Sequence, residues 1–238
     1  MMKMMILAPR RAELTHADFR RYVTEVHGPL VRSVPEVVAD IRHYHYNFPI
    51  AGAADQAFRH LLASELDIVT QGWFDSREAQ LRNMREPRYL EIIRPDEGRF
   101  ANKAGALMHY THEQVIREGS PTQLKVFYFR RRHPKLTRAA FQSAWAEAFP
   151  AALGVELGST PHIARYVQNQ VLAQSEHPDG ESPSYYDVLD EFCVHDLAGF
   201  GGFGSDVSRY AQVQAIEREL LDGARTRAFI AETVYNIR

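Results

Sequence analysis

The chain has 238 residues, of which 45% are hydrophobic and 24% charged, with a formal net charge of -2. That is enough apolar material for one large core or two small ones, and the near-neutral balance excludes the global basic field that recruits nucleic acid. Cys193 is the single cysteine, which excludes an intrachain disulfide and a cysteine-only zinc site and points to a reducing compartment, the cytoplasm.

The chain opens on the apolar run Met1-Met2-Lys3-Met4-Met5-Ile6-Leu7, which Pro9-Arg10-Arg11 ends well short of a signal-peptide core or membrane span. It reads as a strand over 3–8, apolar at consecutive positions and so buried on both faces. Thr15 is a suitable N-cap, and Phe19, Tyr22, Val23 and Val26 follow at helical spacing. Gly28-Pro29 is expected to break or kink that helix. A second strand is predicted over 38–48, a third over 66–74, a helix over 76–93 and a last strand over 104–115.

Shifting the sequence by 122 residues lays Lys3, Leu14, Thr15, Ala17 and Phe19 on Lys125, Leu136, Thr137, Ala139 and Phe141, then Ile41, Tyr44 and Asn47 on Ile163, Tyr166 and Asn169. The second half accordingly reads as strand 124–130, a helix carrying Phe141, Trp145 and Phe149, strands 161–172 and 185–194, a helix over 206–221 and strand 226–237. The order β-α-β-β-α-β, twice, is that of the ferredoxin-like α+β unit. Such a unit leaves one sheet face bare, and two copies in one chain can bury those faces on each other. The expected domains are 1–118 and 119–238, joined at Gly119-Ser120-Pro121, with matching loops at 49–54 and 177–183.

The first half resembles the EthD family of the dimeric α/β barrel superfamily. The likeness is carried by Phe19-Arg20-Arg21-Tyr22-Val23-Thr24-Glu25-Val26 running into His27-Gly28-Pro29-Leu30, by Ile41-Arg42-His43-Tyr44-His45-Tyr46, and by Asp67-Ile68-Val69-Thr70-Gln71-Gly72-Trp73-Phe74-Asp75-Ser76. It covers residues 3–115. The resemblance implies an intramolecular α/β barrel with a pocket between sheet and helices, and relatives that include accessory proteins, dehydratases, cyclases, isomerases, monooxygenases and haem enzymes. Phe149-Pro150-Ala151-Ala152 stands where the first half has His27-Gly28-Pro29-Leu30, so chemistry that needs this histidine belongs to one half.

His27, beside the apolar stripe, is the candidate proton shuttle; its alternative is a histidine that serves the helix terminus. Tyr22, His43, His45 and Trp73 are the candidate substrate-binding groups around it, with core packing as the alternative for Trp73. Strand alternation sends His43 and His45 to one face and Tyr44 and Tyr46 to the other. A metal has no third ligand at suitable spacing, and no cofactor is expected. Arg130-Arg131-Arg132-His133 reads more readily as a solvated turn than as an anion site, and Phe200-Gly201-Gly202-Phe203-Gly204 as a loop.

The favoured function is a cofactor-independent lyase or isomerase, of dehydratase or cyclase type, acting on an aromatic or polyketide-like molecule. The alternatives are a non-catalytic ligand-binding accessory protein and a haem enzyme. The expected partner is a small molecule, with no nucleic acid and no membrane; association of whole chains into a homodimer stays open.

Overall fold

The computed structural model describes residues 1–52, 65–154, 160–172, 186–201 and 207–237. Eight described strands form the framework: β1 (Met2–Ala8), β2 (Ile41–Pro49), β3 (Ile68–Phe74), β4 (Leu107–Arg117), β5 (Leu124–Arg130), β6 (Ile163–Val171), β7 (Val188–Val194) and β8 (Arg227–Ile237). They close into one antiparallel barrel in the order β1-β3-β2-β8-β5-β7-β6-β4. Closure depends on two crossings between halves: β2 pairs with β8, and β4 pairs with β6. The strand bounds lie within a few residues of those expected. The loop expected at 177–183 and most of the glycine-rich segment 200–204 lie outside the described residues; of the loop expected at 49–54, residues 49–52 are described, Pro49 closing β2 and Gly52 turning with a positive φ of 72°.

Helices cover the outside. In the first half they are α1 (His16–Tyr22), α2 (Gly28–Arg32), α3 (Pro35–Val38), α4 (Arg77–Arg85) and α5 (Arg94–Phe100); in the second, α6 (Arg138–Leu153), α7 (Leu197–Gly201) and α8 (Val207–Leu220). Thr15 caps α1 by accepting from the Asp18 amide, and Thr137 caps α6 from Ala140 in the same way. Each satisfies a backbone donor that the helix leaves over. Among the described residues no helix is long and apolar enough to cross a membrane.

Two expectations about helices are corrected. Gly28-Pro29 does not end the first helix: a π-helical turn over Val23–His27 precedes it and α2 continues to Arg32. The wider turn makes room for a proline that cannot donate, and it rotates the stripe. Phe19, Val23 and His27 face inward, while Val26, expected in the stripe, is 45% exposed. The helix expected over 76–93 stops at Arg85, because Glu86 precedes Pro87 and takes an extended ψ of 124°. The chain then re-enters a second π-helical turn (Tyr89–Ile93) leading into α5.

The core has two kinds of layer. Outside the barrel, helices bury Phe19, Val23, Tyr46, Phe48 and Phe100 in the first half, and Phe141, Trp145, Phe149, Tyr166 and Phe192 in the second. Inside, Met5, Leu7, Val69, Phe127, Phe129, Leu189 and Phe229 fill part of the lumen. The rest of the lumen is polar: Lys3, Lys125, Glu191, Gln71 and Asn47 are all buried there.

The basic cluster after β5 is not a solvated turn. Arg130 is 1% exposed, bonded to Asp190 and Glu217 and stacked over Tyr128, Trp145 and Phe149. Arg131, Arg132 and Arg138 converge on Asp187, which is fully buried. A buried guanidinium persists only when its charge and donors are matched, and these carboxylates match them.

Candidate functional site

His27 ends the first π-helical turn, and Asp96 sits in the first turn of α5, directly after the second. The two helix irregularities bring these residues together. The His27 Nδ1 lies 2.9 Å from the Asp96 Oδ2, and the Tyr22 hydroxyl donates to the Asp96 Oδ1 at 2.5 Å. Both members of the His–Asp pair are nearly fully buried. The imidazole packs against Phe100, with ring centroids 4.7 Å apart, and against Tyr46 at 6.3 Å. Arg99 flanks the outer side of Asp96 at 4.0 Å.

The electrostatics follow from this packing. Burial pushes the His27 imidazole below the ordinary histidine value, against the opposing pull of its bond to Asp96. The ring is therefore neutral at pH 7, with its Nδ1 proton held by the carboxylate. A neutral histidine fixed in that tautomer presents Nε2 as its basic atom. The Tyr22 phenol is raised, first by burial and then by Asp96, and stays protonated.

Beneath this group the fit is close. A Cβ on Gly28 would meet the Asn236 Oδ1 at 2.9 Å and the Val23 carbonyl oxygen at 3.2 Å, so any other residue there makes Asn236 or the start of α2 give way. Asn236 also accepts from Arg32 and donates to the Tyr46 hydroxyl at 3.4 Å. A residue of the second half thus braces the wall of the first.

The other three expected residues lie elsewhere. His43, His45 and Trp73 point into the barrel, the His45 ring lying 4.7 Å from Trp73 and 4.6 Å from Tyr235. Tyr44 and Tyr46 take the opposite face, beside His27. The five residues expected around one pocket therefore form two groups on opposite sides of the sheet. Asp96 was not anticipated from sequence; its one local signal, an acid in the first turn of a helix opened by Pro95, is common to many helices.

The second half holds the corresponding layer differently. Ala8 pairs with Ile68 as Arg130 pairs with Val188, and Trp145 and Phe149 stand 122 residues after Val23 and His27. Arg130, Trp145 and Phe149, the last two rings stacked at 4.3 Å, fill the space with large side chains. The Trp145 indole and the Tyr166 hydroxyl donate to the buried Asp190.

Residues 11–104 match the EthD domain, a span that contains Tyr22, His27 and Asp96. Over 109 residues the chain is 31% identical to the conidial pigment biosynthesis dehydratase EthD of Metarhizium robertsii, covering 43% of this chain and 75% of that protein. The chain belongs to the EthD family. Solved structures extend the likeness over the whole length of this EthD family member, at the level of fold. An anthrone oxidase-like protein superposes with a TM-score of 0.61 at 11% identity, covering 99% of this chain and 93% of the other. A dye-decolorizing peroxidase from Bacteroides thetaiotaomicron gives 0.57 at 10% identity, covering 97% and 92%. The barrel with its outer helices is thus the dimeric α/β barrel fold, enclosed in one polypeptide.

Proposed function

We propose that this EthD family member is a small-molecule lyase that removes water from a β-hydroxy carbonyl compound of aromatic or polyketide type, with His27 as its acid/base. The observation that carries the reading is the buried His27–Asp96 pair at 2.9 Å. Neutral Nε2 takes the proton from the carbon beside the carbonyl. The C–H electron pair moves through the enolate to form the new C=C bond as the β C–O bond breaks. The imidazolium returns its proton to the departing oxygen, which leaves as water. No oxidant is consumed. Asp96 orients the ring and stabilises its cationic state, and Tyr22 holds Asp96 in place. The kinship with a protein named as a pigment dehydratase supports this class of reaction.

The haem alternative has less support, because Arg130, Trp145 and Phe149 occupy the helix–sheet layer of the second half and supply no axial histidine there. An accessory, purely ligand-binding role would leave the His27–Asp96 pair without a task.

We also propose that residues 1–118 and 119–238 are two ferredoxin-like copies of one ancestral unit, the second having given up its site. The Asn47 amide donates to the Val69 carbonyl oxygen at 2.7 Å, and that of Asn169 to Leu189 at 2.9 Å, an equivalent bond at equivalent places. The buried lone thiol of Cys193 suits a cytoplasmic location.

The test is turnover of a panel of β-hydroxy ketones, read by the rising absorbance of the conjugated enone. His27→Ala should lower kcat about 10²–10⁴-fold, the range for loss of a general acid/base, with the fold kept. Asp96→Asn should lower kcat and move the acid limb of the pH profile. Wild-type turnover that survives His27→Ala unchanged would reject the assignment.

A further inference from the structure

The strands at one end of the barrel place Lys3, Trp73, His45, Glu113 and Tyr235 side by side. The floor is closed: Lys3 is 1%, Lys125 2% and Trp73 8% exposed. The rim is open: His43 is exposed, and His45, Glu113, Tyr235 and Arg165 are half-buried. A buried charged floor within a half-exposed aromatic rim is the arrangement of a ligand recess at a barrel mouth.

The chain's own chemistry identifies what such a recess holds. Glu113 places one carboxylate oxygen 3.1 Å from the Lys3 Nζ and the other 3.1 Å from the Trp73 indole nitrogen. Those two donors form a seat for a planar carboxylate, at present filled by a side chain that is 20% exposed. Beside the seat, the His45 Nδ1 is buried and has no hydrogen-bond partner. A buried unpaired imidazole nitrogen costs about 1–3 kcal/mol, a cost that a ligand oxygen would relieve. His45, Trp73 and Tyr235 supply the flat walls. Glu191 already binds both lysines deeper in, so Glu113 is the carboxylate that can swing out.

We propose that this end of the barrel is a second binding site, for a small aromatic carboxylic acid that displaces Glu113 from Lys3 and Trp73. The aromatic ring lies between Trp73, His45 and Tyr235, and its carboxylate takes the two donors Glu113 releases. The site lies on the opposite face of the sheet from His27 and is independent of the dehydration reading.

Titration calorimetry with benzoate on the full chain tests it, with benzyl alcohol as the neutral analogue. Benzoate should bind wild type saturably and at least about tenfold more tightly than benzyl alcohol, a difference of ~1.4 kcal/mol. Glu113→Ala, which empties the seat, should tighten benzoate about tenfold, and His45→Ala and Tyr235→Leu should each weaken it by a similar factor. His27→Ala should bind it as wild type does. The proposal is overturned if benzoate does not saturate either wild type or Glu113→Ala, or if benzyl alcohol binds equally well. It is likewise overturned if Glu113→Ala leaves affinity within about twofold of wild type, or if His27→Ala abolishes binding.

Discussion

Replacing Glu191 with glutamine should cost this protein more stability than any comparably small change in an apolar layer. Glu191 accepts from Lys3 at 2.5 Å, Lys125 at 2.7 Å and Gln71 at 2.8 Å. Burial alone would raise its carboxyl, but Lys125 and Lys3 outweigh that and hold it well below the ordinary carboxylate range. Glutamine keeps the shape, loses the charge, and turns an N–H group toward one of three donors. Lys3 then keeps Glu113, which is partly exposed, while Lys125 keeps the Gln71 amide oxygen and, among the described residues, no ion-paired carboxylate. Breaking a buried ion pair costs about 3–5 kcal/mol. For a chain of this size that is a fall in melting temperature on the order of 10 °C. Urea unfolding at pH 7 measures it directly. The triple variant Lys3→Met, Lys125→Met, Glu191→Met removes the three fully buried charges together, leaving only the partly exposed Glu113, and should recover most of the loss. A single variant within about 1 kcal/mol of wild type, or a triple variant no better than the single, would refute the reasoning. Because the folded-state carboxyl is depressed, its contribution is present above the unfolded glutamate value, about 4.3, and is lost as pH falls below it toward the lower folded value.

His109 is fully buried with neither ring nitrogen bonded, and burial, with Arg138 assisting, pushes its imidazole down to about 3. The unfolded chain takes up the proton first, so stability should fall as pH drops below about 6.5, by ~1.4 kcal/mol per pH unit until the folded value is reached. His109→Leu should flatten that slope in denaturation curves between pH 7 and pH 4 and raise stability at neutral pH. Gly28→Ala forces a Cβ against Asn236 and the Val23 carbonyl; it should cost about 1–3 kcal/mol by overpacking, and Asn236→Ala in the same chain should recover part of it, since one of the two obstructing atoms is then gone. In the pH profile of dehydration, kcat/KM should fall on the acid side with an apparent value below the free-histidine 6.5, because His27 must be neutral to act as the base.

Much of the barrel could be read from the residues. Apolar strands, threonine caps and the 122-residue offset located the strands, because these are local and periodic signals; the pairings of β2 with β8 and of β4 with β6 are tertiary and were not among them. Three features of the site could not be read that way. Alternation along β2 separates His43 and His45 from Tyr44 and Tyr46, but parity does not say which set faces the lumen; closure of the ring by β8 decides that. The π-helical turn at Val23–His27 shifts the buried stripe from Val26 to His27, and a pattern written for 3.6 residues per turn does not anticipate it. Asp96 reaches His27 through the break at Pro87 and the turn that follows, a tertiary event invisible in a short acidic segment. The lysine pair did leave a trace: Lys3 and Lys125 stand at matching places in two otherwise apolar strands, a conflict with burial that the lumen resolves by sharing Glu191 between them.

The ring closes only where β2 meets β8 and where β4 meets β6. During synthesis, the first four strands must therefore wait with both outer borders of their sheet unsatisfied until the second half emerges, and β8 comes last. Bare strand borders invite pairing with whatever chain is nearest. On a crowded ribosome that neighbour is a sibling, so carrying both halves of the ring in one polypeptide keeps the correct mate tethered and turns a bimolecular search into an intramolecular one.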